Sequence, residues 1–245
     1  ALVTGAAKGI GAAVVRRLAS EGAFVAINDI NAAGAAALAN ELQNAGFQAV
    51  SVAADLSDAT DTERMLKEAK EKLGGHIDIL VNNAGGSCIA LGRFVSFEEQ
   101  TVKDIDWELA VNLRSAIQCI QKVLPEMKEK NYGRIVNLSS ICGTAGASGI
   151  PVYSASKGAI ISITKSLAMM YGNNGITVNC VAPAAVATRP GMEKLGDSTV
   201  FGRPSSADDI ANLICYLASD EAAFVTGQCH LIDGGRTLGP KAGKI

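Results

Sequence analysis

Histidine is nearly absent from this chain: its 245 residues include only His76 and His230. The six cysteines (Cys88, Cys119, Cys142, Cys180, Cys215 and Cys229) form no C-x-x-C pair. Both shortages argue against a metal site and favour buried free thiols, so no metal is expected. Long apolar runs are missing as well. None reaches the ~18 residues of a membrane span, and the first residues lack the basic and hydrophobic regions of a signal peptide, so a cytoplasmic, reducing setting is expected. An excess of either charge is also lacking: 22 Lys and Arg face 24 Asp and Glu, for a net charge of -2. The basic residues are scattered, which argues against nucleic-acid and membrane-surface partners and leaves small metabolites.

What is plentiful is apolar material, at 48% of residues, enough for a sizeable core. Apolar runs with the length and β-branching of buried strands recur at 1–4, 23–28, 48–53, 77–81, 134–139, 176–182 and 228–232. Stretches of helical period lie between them, at 10–21, 32–45, 60–73, 103–130, 151–171 and 207–218. Strands apolar on both faces need cover on both sides. The alternation therefore predicts an α/β chain with a doubly wound, seven-stranded parallel sheet and helices on both faces. No linker or internal repeat interrupts it, so residues 1–245 read as one domain. Ser206 to Asp209 has the form of a capping box, and Gly172 to Gly175 closes one helix before a strand. Residues 86–100 and 184–205 are long connections of the kind that line binding sites.

Thr4-Gly5-Ala6-Ala7-Lys8-Gly9-Ile10-Gly11 follows the first strand and opens the first helix. Small residues there let backbone approach a pyrophosphate while the helix N-terminus offers unpaired N–H groups, so Gly5, Lys8, Gly9, Ile10 and Gly11 are cofactor candidates. Asp29 ends the second strand, eighteen residues after Gly11. A carboxylate there can accept from an adenosine ribose and would repel a 2'-phosphate; the alternative is that Asn28-Asp29 caps the helix starting near Asn31. Lys8, a cation in the loop, pulls the other way, toward the phosphorylated cofactor, and ranks below Asp29. Asn82-Asn83-Ala84-Gly85 closes the fourth strand at the ligand-binding edge, where it is as apt to brace the loop as to touch a ligand. Asn112, a poor helix former within 103–130, suggests a local hydrogen bond or a kink. Tyr153 and Lys157 stand four apart, thirteen residues after Ser140. On a helix that spacing stacks ammonium near phenol, a proton-transfer pair.

Thr4 to Gly11, Asp55, Asn82 to Gly85, Asn112, Ser140 and Tyr153 with Lys157 together resemble the short-chain dehydrogenase/reductase family over essentially the whole chain. The resemblance implies a single-domain Rossmann fold that binds NAD or NADP. It makes Tyr153 the general acid/base and Ser140, which also contacts substrate as Tyr153 does, the group that polarises the substrate oxygen. Ser140 is preferred to Ser139 because the family's serine is followed by two residues and a glycine, here Ile141-Cys142-Gly143. Lys157 is implied to hold the nicotinamide ribose and to lower the Tyr153 pKa, with Asn112 keeping a water in the relay. Asp55 and Leu56 match the adenine contact, Asn83 with Ala84 and Gly85 the ribose side, and Pro183, Val186 and Thr188 the nicotinamide side. The activity expected is NAD-dependent interconversion of a secondary alcohol and a ketone. Two alternatives stand beside it: an NADPH-dependent ketone or 3-oxoacyl-thioester reductase, and a non-catalytic nucleotide sensor. The family habit also implies a homotetramer or homodimer.

Three departures from the pattern stand out. Pro183-Ala184 replaces the usual Pro-Gly, which disfavours a positive φ there. The 86–100 loop is longer than usual, and Ser87 to Val95 are expected to form part of the substrate wall. The lid, 189–205, is shorter; Met192, Leu195, Val200 and Phe201 suggest a moderately apolar pocket or else pack the lid down, while Arg189 and Lys194 read as solvated surface rather than as partners of an anionic substrate.

Overall fold

Seven short apolar strands with no polar face can be satisfied only inside a sheet covered on both sides, and the chain forms one. The structure is a computed structural model that describes residues 1–88, 92, 96–188 and 199–239. Its strands are β1 (Leu2–Val3), β2 (Val25–Asp29), β3 (Ala49–Ala53), β4 (Ile79–Asn82), β5 (Gly133–Leu138), β6 (Ile176–Pro183) and β7 (Cys229–Ile232). All neighbours are parallel, in the order β3-β2-β1-β4-β5-β6-β7. That is the doubly wound Rossmann arrangement, with its topological switch between β1 and β4.

The helices are α1 (Gly9–Ser20), α2 (Ala32–Asn44), α3 (Ala59–Lys72), α4 (Val102–Leu109), α5 (Ser115–Lys130), α6 (Ile141–Ala145), α7 (Pro151–Tyr171) and α8 (Ala207–Ala218). Two large apolar clusters show the two covered faces. One joins Val14, Val15 and Leu18 of α1, Leu38 and Leu42 of α2 and Ile210 and Ile214 of α8 to the sheet. The other joins Met65 and Leu66 of α3 and Ile120, Val123 and Met127 of α5. Among the described residues no helix is long and apolar enough to cross a membrane.

Boundaries were legible where caps mark them. Ser206 accepts from the Asp209 amide and Asp209 accepts from the Ser206 amide, the expected capping box. Gly175, at φ +67°, turns the chain from α7 into β6, and a Cβ there would lie 2.2 Å from the Asn131 carbonyl oxygen. The stretch 103–130 is not one regular helix. Residues Ala110–Arg114 form a π turn between α4 and α5, centred on Asn112. The short helix α6 lies outside the sequence reading altogether.

Candidate active site

Every candidate cofactor or catalytic segment among the described residues leaves the C-terminal end of a strand or faces that edge, where a parallel sheet opens its crevice. Gly5 (φ +60°) and Gly9 (φ +59°) carry the chain from β1 into α1 with backbone that other residues avoid. A Cβ on Gly11 would lie 2.5 Å from the Gly5 carbonyl oxygen and 2.6 Å from Asn83 Nδ2, so the loop closes on itself only with glycine there. Asn83 clamps it from β4: its Nδ2 donates to the carbonyls of Thr4 (2.8 Å) and Gly5 (2.9 Å). Thr4 Oγ1 returns the bond by accepting the amides of Asn83 and Ala84, both at 3.0 Å. The bracing role of the Asn83 side chain is thus the one its geometry displays.

Lys8 is the exposed N-cap of α1 and places no side-chain acceptor over the first turn, which also has no acidic residue. The leading amides and the positive helix end therefore face the crevice uncapped, as a diphosphate requires. Asp29 is pinned at the loop mouth. Its Oδ2 accepts the Ala7 amide and its Oδ1 the Asn31 amide, both at 2.9 Å. The helix cap is Asn31 rather than Asp29, accepting from Gly34 at 3.0 Å. Asp55 folds back on Ser57, whose amide and hydroxyl donate to its Oδ1, while Leu56 is buried. On the far side Pro183 ends β6, and Ala184 continues without a positive φ; among described non-glycine residues only Asn131 has one. Val186 is buried and bridges to Ser205, and the Thr188 methyl sits where a Gly9 Cβ would meet it at 3.3 Å. These residues fit a dinucleotide laid across the switch point.

Ser140 caps α6, its hydroxyl accepting from the Cys142 amide at 3.2 Å, and it lies near enough to Tyr153 to favour the phenolate. Gly143 lets α6 sit against α7, since a Cβ there would come within 2.6 Å of the Lys157 backbone. Ser139 points elsewhere, donating to the Lys157 carbonyl at 2.8 Å. Lys157 is 3% exposed; its ammonium donates to the Leu138 carbonyl at 2.7 Å and lies 5.7 Å from the centre of the Tyr153 ring. Asn112 makes a two-way bond with the Gly86 backbone, accepting from its amide and donating to its carbonyl at 2.8 Å each. Gly85 lies between Asn112 and Lys157: a Cβ there would sit 2.5 Å from Asn112 Oδ1 and 3.0 Å from Lys157 Nζ. A π turn at such a position is a recurrent mark of functional helices.

One expectation is reversed. Tyr153 is not depressed in this structure: burial pushes it up to about 12, against the smaller favourable pull of the Ser140 bond. Lys157 does not offset that, because its own burial drags it down to about 8.

Some buried polar groups near the site escaped the sequence reading. Glu108 is 1% exposed, accepts the Cys88 amide through Oε1, and leaves Oε2 without a partner. Its charge also pushes Tyr153 upward. The available signal was its place four residues before Asn112, on the same helix face. A buried chain of amides, Asn82 to Asn137 (2.8 Å) and Asn137 to Thr164 (3.0 Å), likewise locks β4, β5 and α7 together. Of the substrate-side expectations, Ser87 and Cys88 are placed, whereas residues 89–91 and 93–95, and Arg189, Met192, Lys194 and Leu195, lie outside the described residues. Val200 and Phe201 are exposed, at 63% and 76%, and among the described residues they lie against Gly235 and Gly234.

The family model for short chain dehydrogenases matches residues 1–197. The chain belongs to the short-chain dehydrogenase/reductase family. It is 37% identical over 246 residues to a (2S)-[(R)-hydroxy(phenyl)methyl]succinyl-CoA dehydrogenase subunit, BbsD, of Thauera aromatica, covering 97% of this chain and 96% of that one. It is 36% identical to the 3-oxoacyl-[acyl-carrier-protein] reductase FabG of Staphylococcus aureus, covering 96% of both. A solved blue fluorescent protein from a metagenomic library, in complex with NADPH, superposes with a TM-score of 0.86 at 33% identity, over 96% of each chain. The family is one of oxidoreductases, with a nicotinamide dinucleotide as cofactor.

Proposed function

We propose that this short-chain dehydrogenase/reductase interconverts a secondary alcohol and a ketone, using NAD in preference to NADP. The observation that carries the reaction type is the convergence of Ser140, Tyr153 and Lys157 at the crevice edge, beside the uncapped α1 N-terminus. When bound, the nicotinamide supplies the hydride acceptor or donor. Tyr153 passes the proton to or from the substrate oxygen, and Ser140 polarises that oxygen by hydrogen bonding. Lys157 holds the nicotinamide ribose, while Asn112 and Gly86 fix the floor behind it. NAD preference is supported by Asp29, whose two oxygens are held by the amides of Ala7 and Asn31 and retain lone pairs for ribose hydroxyls. A 2'-phosphate beside that carboxylate would be repelled.

The test is Tyr153→Phe. Loss of one hydroxyl should lower turnover of secondary alcohols by about 10³-fold and leave dinucleotide affinity within about twofold. Turnover near wild type would sink the assignment. A second reading, NADPH-dependent ketone reduction, is favoured by the FabG relative and by the NADPH in the solved neighbour.

We further propose one dinucleotide-binding unit over 1–245, with 189–205 as lid, acting in the cytoplasm as a homotetramer or homodimer on a small alcohol or ketone. Self-association is supported by apolar surface at the end of α7, where Met169 and Met170 are 81% and 64% exposed. A reducing compartment is supported by six cysteines that are all free thiols.

A further inference from the structure

Two of those thiols face each other across the last strand pair. Cys180 on β6 and Cys229 on β7 are direct register partners. Adjacent parallel strands run ~4.8 Å apart and side chains opposite one another leave the same face, which places such a pair inside the ~4.4–6.8 Å Cα window of a disulfide. The two thiols interact with one another, and the Lys165 ammonium of α7 acts on both. Cys180 is wholly buried, whereas Cys229 is partly open on β7, which among the described residues is an edge strand paired with β6.

We propose that Cys229 and Cys180 form a peroxide-oxidisable dithiol, with Cys229 as the attacking sulfur and Cys180 as the resolving one. The division follows from environment. Hydrogen bonding from Cys180, aided by Lys165, pulls Cys229 below the ordinary thiol value, while its role as donor and its burial push Cys180 above it. In the first step the Cys229 thiolate attacks a hydroperoxide; an S–O bond forms, the O–O bond breaks, and the departing oxygen leaves as water or alcohol after protonation. In the second, the Cys180 sulfur displaces hydroxide from the Cys229 sulfenic acid, forming S–S and releasing water with the Cys180 proton. The pair loses two electrons and the peroxide gains them. The cross-link would tie β7 to β6 just before the turn at Asp233, whose next residue, Gly234, accepts from the Val200 amide of the lid at 2.7 Å.

The experiment exposes the full chain to hydrogen peroxide, alkylates the remaining thiols and maps peptides by mass spectrometry. Two of the six thiols should be lost together, in one cross-linked peptide pair carrying Cys180 and Cys229, and dithiothreitol should restore both. In Cys180→Ser, dimedone should label Cys229; in Cys229→Ser, Cys180 should stay reduced. The idea is overturned if Cys229 remains alkylatable while Cys142 is consumed, or if Cys229 is oxidised without a cross-link to Cys180. Should either serine variant fail to fold, the wild-type map alone decides, since the cross-link is read there in the unaltered chain.

Discussion

Replacing Lys157 by methionine should make the ligand-free protein more stable while removing its activity. The wild-type ammonium is fully desolvated inside α7, and a lysine dragged from 10.5 to about 8 stores roughly 3 kcal/mol of unfavourable burial when charged. Methionine is similar in length and carries no charge. Against this gain stands the Leu138 carbonyl, which loses its 2.7 Å donor at a cost of about 1 kcal/mol. The net of about 2 kcal/mol corresponds to roughly 4–8 °C in Tm for a chain of this size. The pH dependence is the sharper test. Below pH 8 the lysine is protonated in both states and the penalty is complete. Between about 8 and 10.5 the unfolded chain holds a proton the native state has released, so wild-type stability rises with pH and the advantage of the variant shrinks. Differential scanning calorimetry without cofactor at pH 7 and pH 10 measures it. A variant that melts at or below wild type at pH 7, or an offset equal at both pH values, refutes the reasoning.

Asp29→Ala should weaken NAD binding by about tenfold and raise the NADP-to-NAD ratio of kcat/KM, because it removes both a ribose acceptor and the repulsion of a 2'-phosphate; an unchanged ratio would place cofactor choice elsewhere. Glu108→Gln keeps an oxygen for the Cys88 amide but deletes a charge that adds to the upward push of burial on Tyr153, so the pH profile of alcohol oxidation should move down. A profile that does not move would show that the carboxylate is silent at the phenol. Gly11→Ala drives a methyl to within 2.5 Å of the Gly5 carbonyl oxygen and should cost about 1–3 kcal/mol of stability together with most dinucleotide affinity, read by calorimetry and fluorescence titration. Near wild-type affinity there would contradict the closed loop.

The parallel sheet was legible because strands buried on both faces leave an unambiguous apolar pattern: β5 and β6 are buried at every position. The glycine loop and Asp29 were legible from their position along the alternation, whereas the Tyr153/Lys157 pair took its meaning from the resemblance of the whole motif set to the short-chain dehydrogenase/reductase family. The π turn at Ala110–Arg114 was not, since one extra residue in a turn leaves no periodic trace within five residues. Helix α6 is five residues long, too short for any period, and is defined by the Ser140 cap and by Gly143 fitting against α7. Glu108 was hidden by the ordinary habit of charged helix residues, which face water; only the fold turns it inward.

The direction of the Tyr153 shift escaped for a related reason. Spacing reveals that a lysine is near a tyrosine, but the sign depends on how dry both are. Here each is buried, and burial penalises phenolate and ammonium alike. At neutral pH a phenol near 12 is protonated in all but a trace of molecules, while a lysine near 8 is mostly charged. On the acid/base assignment proposed above for Tyr153, the ligand-free site is therefore poised as an acid, with Ser140 beside it. Taking a proton from an alcohol requires that balance to be tipped by added positive charge or by higher pH. The same assignment predicts reduction favoured near neutrality and oxidation favoured in base, which the pH profiles of the two directions would read.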